Sequence, residues 1–148
     1  MSGANRGFWK VIAPLVVGGI MLVVLVLVFH PVARTGAVAY AQANLRRAAE
    51  AAEALAAGGS LARADRTRLA AEGGVDDLLL IDPDQSSNDP EVVSVLATAQ
   101  AWTGSARAET GECFWIRLAA TGGTVVGTGT DCSADEASAA APGAWPEP

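Results

Sequence analysis

The two cysteines are the residues of this sequence whose chemistry is most sharply defined. Cys113 and Cys132 are the only cysteines, so one intramolecular pairing is available to them. A disulfide that closes a loop of about twenty residues stabilises a fold by roughly 3 kcal/mol in the chain-entropy treatment. The alternative is a pair of free or metal-binding thiols. A zinc site would lack ligands, because the one histidine, His30, directly follows the apolar segment near the N-terminus.

A second group of candidate ligands lies in the loop at residues 82–91, which is rich in side-chain oxygens. Asp82, Asp84 and Asp89 are weak candidates for binding calcium, since the Asp-x-Asp-x-Ser spacing resembles the opening of a calcium loop. The sixth position of such a loop is Ser87 instead of glycine, and the twelfth is Val93 instead of glutamate. The loop is therefore not an EF-hand, and a plain solvated turn is the other interpretation.

Catalytic chemistry and nucleic acid binding are not expected. No nucleophile and base can be paired, because the single histidine is remote and isolated serines carry no activity. The glycine pairs at 58–59, 73–74 and 122–123 are not followed by Lys-Ser or Lys-Thr, so they indicate turns instead of phosphate loops. Sixteen acidic against ten basic residues give a net charge of −6, which disfavours contact with phosphates. We therefore predict a protein that is not an enzyme, with no cofactor and no nucleic acid partner.

An apolar stretch near the N-terminus sets the organisation of the chain. Residues 11–29 contain no charge, and a helix of this length nearly matches a hydrocarbon core of about 30 Å. Arg6 and Lys10 precede the stretch, which places the N-terminus in the cytoplasm by the positive-inside rule. The sequence thus predicts a leader at 1–7, a single-pass transmembrane helix at 8–29 in the cell membrane, and an extracytoplasmic remainder.

The helical pattern continues beyond this stretch, over residues 30–59. Its apolar positions are separated by steps of three and four, which place them on one narrow stripe of a helix. These positions are Val38, Ala41, Leu45, Ala48, Ala52 and Leu55. Glycines at 58–59 mark the end of the helix.

Residues 60–133 have the pattern of a small sheet domain. Strands are predicted at 75–81, 91–102, 112–118 and 125–130, with a hairpin turn at 121–124 and a looser turn at 103–111. Residues 134–148 are rich in alanine, serine, proline and acid, which predicts a flexible tail. The predicted fold class is α+β: a long N-terminal helix, half transmembrane and half amphipathic, packed on a small antiparallel sheet of three or four strands.

This layout resembles that of a type IV pilin or pseudopilin. Arg6-Gly7-Phe8 resembles a prepilin peptidase site, in which a basic leader and a glycine precede a phenylalanine that opens the apolar helix. The blocks 87–95, 111–117 and 127–132 are similar to C-terminal regions of pilin-like proteins from high-GC Gram-positive bacteria. The resemblance implies cleavage between Gly7 and Phe8, methylation of Phe8, and polymerisation through the apolar helix. The implied partners are prepilin peptidase, membrane lipid and other pilin-like subunits.

One departure from the pilin pattern bears on the role of the subunit. Pilins usually carry a glutamate at the fifth mature position, which is Ile12 here. Lys10 also stands where an apolar residue is usual. A minor subunit of a type IV pilus or type II secretion-like pseudopilus is therefore expected. Two other interpretations are a membrane-anchored extracytoplasmic binding domain that does not polymerise, and a secreted protein cleaved after the small residues at 37–39.

Overall fold

The computed structural model describes the backbone of residues 5–57 and 59–146, and the side chains of residues 19, 21–23, 34–57 and 59–146. The chain divides into two compact units at residue 35, and the account below concerns residues 36–148 except where stated. The helices are α1 (Asn5–Ala56), α2 (Arg66–Glu72) and α3 (Ala134–Ala139), with a 3₁₀ turn at Leu61–Arg63. The strands are β1 (Leu79–Ile81), β2 (Val92–Ala97), β3 (Ala101–Arg107), β4 (Cys113–Ala119) and β5 (Thr124–Gly129).

The five strands form one mixed sheet in the order β1-β2-β3-β4-β5. Strands β2 to β5 form an antiparallel meander, in which neighbouring strands are joined by short turns. β1 lies parallel to β2, with Leu79 opposite Val92. The turn between β4 and β5 requires glycine, because Gly122 and Gly123 both have positive φ angles, of 88° and 106°. The predicted hairpin turn at 121–124 is therefore present.

One face of the sheet is covered by the C-terminal part of α1. The predicted apolar stripe is buried there, and Ala41, Leu45, Ala48 and Ala52 have no exposed surface. They join one core with the apolar side chains of β2 and β4. Alanine has a small side chain, so the helix backbone can approach the sheet closely, and the larger strand residues supply most of the buried volume.

Two buried polar residues fasten α1 along both of its flanks. Gln42 donates from Nε2 to the carbonyl of Pro146 at 3.3 Å, and Asn44 donates from Nδ2 to the carbonyl of Pro90 at 2.9 Å. Two residues correspond to about 200° around a helix, so these bonds point to opposite sides. A buried amide without a partner costs about 1–3 kcal/mol, so both contacts define where the helix lies.

Tryptophan side chains fill the space that glycine leaves on each face of the sheet. A Cβ at Gly104 would lie 2.7 Å from Cη2 of Trp102, and one at Gly127 would lie 2.3 Å from Cζ2 of Trp115. Both indoles are buried, and each N–H has a carbonyl acceptor: Ala64 for Trp102 and Thr128 for Trp115, both at 3.1 Å. Glycine is therefore needed at both positions for close packing.

The predicted fold class is wrong. Instead of an antiparallel sheet of three or four strands packed on a long helix that is half transmembrane, the structure has a five-stranded mixed sheet with the short helices α2 and α3 and the C-terminal part of α1. Only residues 38–56 of α1 join the core among the residues described. The error in the sheet has two sources. β1 pairs in parallel, and the predicted strand 91–102 contains β2, the turn after it and the first two residues of β3.

The hairpin of β2 and β3 was missed because its turn contains neither glycine nor proline. Thr98 replaces them: its Oγ1 accepts hydrogen bonds from the N–H groups of Gln100 and Ala101, and its own N–H bonds to the carbonyl of Ala101 at 2.8 Å. A side-chain hydroxyl thus closes the turn. Residues 103–107, predicted as a turn, consequently belong to β3.

Several predictions fall in the N-terminal part of the chain. Within the part of the chain that is described, no helix has the length and apolarity needed to cross a membrane. Residues 1–4 of the predicted leader lie outside the described residues, as do the surroundings of Gly7 and the side chains of Phe8, Ile12 and most of the predicted transmembrane segment 8–29.

Candidate functional site

The predicted disulfide between Cys113 and Cys132 is confirmed. The two Cα atoms are 5.0 Å apart, and both residues are buried. The bond joins the start of β4 to the segment after β5. Cys132 has a positive φ of 52°, which non-glycine residues adopt at a cost, and the covalent bond helps to keep it there.

The loop at 82–91 is fastened to the same end of the sheet through Ser87, which is completely buried. Its N–H donates to the carbonyl of Cys132 at 3.0 Å, and its Oγ accepts from the N–H of Arg107 at 2.9 Å. The Arg107 side chain returns a bond from Nε to the carbonyl of Ser87 at 3.1 Å. This loop therefore makes the long return between two parallel strands without a helix.

The three calcium candidates in this loop are not brought together. Oδ1 of Asp82 lies 3.3 Å from Nε of Arg66, Oδ1 of Asp89 accepts from the N–H of Glu91 at 2.9 Å, and Asp84 is exposed. Within the described ranges, no three histidine, cysteine or carboxylate side chains are grouped as a metal site requires. Asp89 has the role of a turn residue, since it accepts a backbone bond two positions on.

A second carboxylate organises the segment that follows β5. Glu136 of α3 accepts from Oγ1 of Thr130 at 2.8 Å and from the N–H groups of Thr130 and Asp131 at 3.1 and 2.6 Å. The hydroxyl of Thr130, together with these backbone donors, lowers the pKa of Glu136 because all three bonds favour the charged form. The carboxylate thus ties α3 to the end of β5.

The residues after α3 continue around the edge of the sheet and onto the face that α1 covers. Gly143 donates its N–H to the carbonyl of Val126 in β5 at 2.9 Å. Trp145 then donates from Nε1 to the carbonyls of Trp115 and Gly127 at 3.1 and 3.0 Å. Its ring lies edge-on to Phe114, with centroids 6.3 Å apart. Residues 134–148, predicted as a flexible tail, thus include a helix and an anchored indole.

Sequence reasoning missed the role of Trp145. The one signal for it was a single large aromatic side chain in a stretch of small and acidic residues. Its partners lie in β4 and β5, and the guanidinium carbon of Arg46 in α1 lies 5.0 Å from its ring centroid. The packing position of this indole cannot be predicted without knowing that α1, β4 and β5 meet.

Trp145 forms one wall of a groove between α1 and the β4–β5 hairpin, which we call the trough. It has a volume of about 360 Å³ and continues into a second hollow of about 240 Å³ that shares Glu53 and Leu118. The residues that line the first part are Arg46, Ala49, Glu50, Glu53, Ile116, Leu118, Thr124, Val126 and Trp145. The floor is aliphatic, and the rim on α1 carries the carboxylates of Glu50 and Glu53 beside Arg46, whose guanidinium lies over the ring of Trp145. The two carboxylates are therefore the groups available to a protein segment with aliphatic stems and positive charge.

The flank of α1 opposite the trough is closed by ion pairs and hydrogen bonds. Arg47 makes two bonds to the carboxylate of Asp77, at 2.7 and 2.8 Å, and these lower the pKa of Asp77. Tyr40 donates its hydroxyl to Oε1 of Glu91 at 2.7 Å, which raises the pKa of Tyr40. This flank is consequently occupied by the chain itself, while the trough stays open.

Comparison of the chain with protein-family models, with curated proteins and with solved structures found no match.

Proposed function

We propose that the chain is a pilin-like structural or assembly subunit of a type IV pilus or type II secretion-like pseudopilus, acting as a minor subunit without catalytic activity. The observation that carries the proposal is the packing of residues 38–56 of α1 on the sheet. Their alanine stripe is buried, and Gln42 and Asn44 bind proline carbonyls on the two flanks. A subunit that assembles through an apolar segment needs its folded part fastened to the helix that follows that segment.

The disulfide supports a location outside the cytoplasm for residues 36–148. Cys113 and Cys132 are paired, and such bonds form and persist in oxidising compartments. The loop at 82–91 and α3 are both attached close to this bond, through Ser87 and Glu136. Oxidation therefore stabilises the end of the domain that carries the long loop and the tail.

The partners follow from the same proposal. Prepilin peptidase would cut between Gly7 and Phe8, and the apolar segment 11–29 would lie in membrane lipid before it joins other pilin-like subunits. Ile12, where a glutamate would pair with a neighbouring amine, favours a minor position in the assembly. A minor subunit makes fewer of these amine–glutamate contacts, so the missing glutamate destabilises the assembly less.

The first experiment is mass spectrometry of the N-terminal peptide of the protein recovered from its native host. A methylated Phe8 supports the proposal, and Gly7→Ala should abolish that species while Gly3→Ala, the matched control in the leader, leaves it unchanged. An N-terminal peptide that begins at Met1 or Ser2 would contradict the pilin proposal. The protein would then be an extracytoplasmic binding domain that does not polymerise, with the trough as its binding surface.

A further inference from the structure

We propose that the trough receives the arginine-bearing edge of a second copy of this chain, so that copies join head to tail. The arginine edge consists of Arg63, Arg66 and Arg68, which are exposed on the 3₁₀ turn and α2. The proposal rests on the proposed function, because it names a contact between neighbouring subunits.

The trough and the part of the arginine edge on α2 lie over opposite ends of the strand order, whereas Arg63 lies next to Gly59, which lines the second hollow of the trough. The trough is formed over β4 and β5, whereas α2 contacts β1 and β2, and the 3₁₀ turn contacts β2 and β3. The strand order places β1 and β5 at the two outer positions of the sheet. One copy can therefore present its arginine edge to a neighbour while its own trough faces a third copy.

The charges of the domain single out these two surfaces. All sixteen acidic residues of the chain lie within residues 36–148, which contain only seven arginines. Four of those arginines contact other groups of the domain: an indole ring, a carboxylate or backbone carbonyls. They are Arg46, Arg47, Arg107 and Arg117. The three remaining ones form the arginine edge.

The arginine edge has positive charge available for a partner. Arg66 is partly engaged, since its Nε lies 3.3 Å from Oδ1 of Asp82 with both side chains about half exposed. Within the described part of the chain, the side chains of Arg63 and Arg68 make no ion pair. In an otherwise acidic domain, this edge is the surface that an acidic groove attracts.

The trough offers a complementary arrangement. Glu50 and Glu53 are one helical turn apart, about 5–6 Å between Cβ atoms, and both are exposed on its rim. Neither carboxylate has a hydrogen bond or an ion pair to another described residue. Below them, Ile116, Leu118 and Val126 form the aliphatic floor. The stem of an arginine can lie on such a floor while its guanidinium binds a carboxylate through two parallel hydrogen bonds.

A contact between two different surfaces of the same chain is heterologous. Such a contact propagates from copy to copy and produces an open filament or a ring, in contrast to the closed pair that a self-complementary surface produces. The geometry therefore supplies a lateral contact between folded domains, in addition to any contact through the apolar segment.

A charge-reversal experiment on the full chain tests the contact. One variant carries Glu50→Arg and Glu53→Arg, and the other carries Arg63→Glu and Arg68→Glu. Glu109→Arg, an exposed reversal in the turn between β3 and β4 and outside both surfaces, is the matched control. Self-association is measured by sedimentation velocity at low salt, and equal unfolding midpoints verify that the variants fold.

Each double variant alone should self-associate about tenfold or more weakly than the wild type, because like charges then face each other. An equimolar mixture of the two should regain association, since the reversed trough attracts the reversed edge and the two native surfaces still match. Three outcomes would each overturn the proposed contact. They are self-association of either variant alone at the wild-type level, no recovery in the mixture, and a wild type that stays monomeric.

The failure of this contact is distinguishable from the failure of the proposed function. If Phe8 is methylated but neither charge reversal changes self-association, the chain remains a pilin-like subunit that does not make the trough contact. An intact N-terminus overturns the pilin proposal, and the mixing experiment then decides the contact by itself.

Discussion

Gly127→Ala is the substitution for which the structure makes the sharpest stability prediction. The new Cβ would lie 2.3 Å from Cζ2 and 2.6 Å from Cε2 of Trp115. The indole cannot retreat freely, because it is 1% exposed and its Nε1 donates to the carbonyl of Thr128 at 3.1 Å. Gly127 also accepts the N–H of Trp145, so a displaced strand loosens the tail as well.

The magnitude follows from three contributions. Overpacking of a filled core costs about 1–3 kcal/mol. Loss of the indole hydrogen bond adds about 0.5–1.5 kcal/mol. Replacing glycine by alanine removes freedom from the unfolded chain, which offsets about 0.4–1 kcal/mol. We therefore expect the free energy of unfolding to fall by about 2 kcal/mol, and the urea midpoint to fall by about 1 M or more for a domain of this size.

The assay is urea unfolding of the full chain followed by far-ultraviolet circular dichroism. Gly129→Ala is the matched control in the same strand, because its Cβ would meet only the carboxylate of Glu136, at an ordinary contact distance of 3.4 Å. Trp115→Phe provides the second arm, since the smaller ring lacks the clashing atoms. In the Trp115→Phe background, Gly127→Ala should lower the free energy of unfolding only slightly. The double-mutant cycle should then show a coupling free energy of about 1 kcal/mol or more. An unchanged midpoint, or the same cost with phenylalanine at position 115, would refute the reasoning.

Three further outcomes are expected. Because the folded pKa of Glu136 is lowered from 4.5, the stability that its carboxylate contributes is present above the unfolded pKa and is lost as pH falls through the folded pKa. Glu136→Gln should therefore flatten this acid limb when the free energy of unfolding is measured against pH. Replacing both Cys113 and Cys132 by alanine should lower the free energy of unfolding by about 3 kcal/mol in denaturant titrations, and an equal loss on reduction of the wild type checks the cause. Asn44→Ala should cost about 1–3 kcal/mol by calorimetry, because the carbonyl of Pro90 loses its donor; a change below 0.5 kcal/mol, about that of a surface substitution, would contradict this.

The strands that were predicted most accurately are those whose local pattern is strongest. Residues 112–118 and 125–130 were predicted, and the structure has Cys113–Ala119 and Thr124–Gly129. Aromatic and β-branched residues fill β4, and two glycines with positive φ angles close its hairpin with β5. Local chemistry is sufficient here because both the strand preference and the turn lie within about fifteen residues.

The first half of the sheet was predicted poorly, for a physical reason. The sequence of β3 is rich in small residues, and Gly104 and Ser105 have low strand preference by themselves. In the folded protein Trp102 covers Gly104, and Oγ of Ser105 donates to the carbonyl of Phe114 at 3.2 Å. The strand is stabilised by its neighbours, and those contacts cannot be read from a window of the sequence.

The sequence by itself determined the features that depend on residue identity or on local spacing. Two cysteines permit one disulfide, and apolar residues three and four apart place one stripe of α1 against the core. Only the tertiary structure decided the parallel pairing of β1, the seat of Trp145, and the separation of the acidic trough from the arginine edge. The paired residues Leu79 and Val92 are 13 positions apart, and Trp145 contacts residues 18 to 99 positions away. The energies of these contacts exist only once the sheet has brought those residues together.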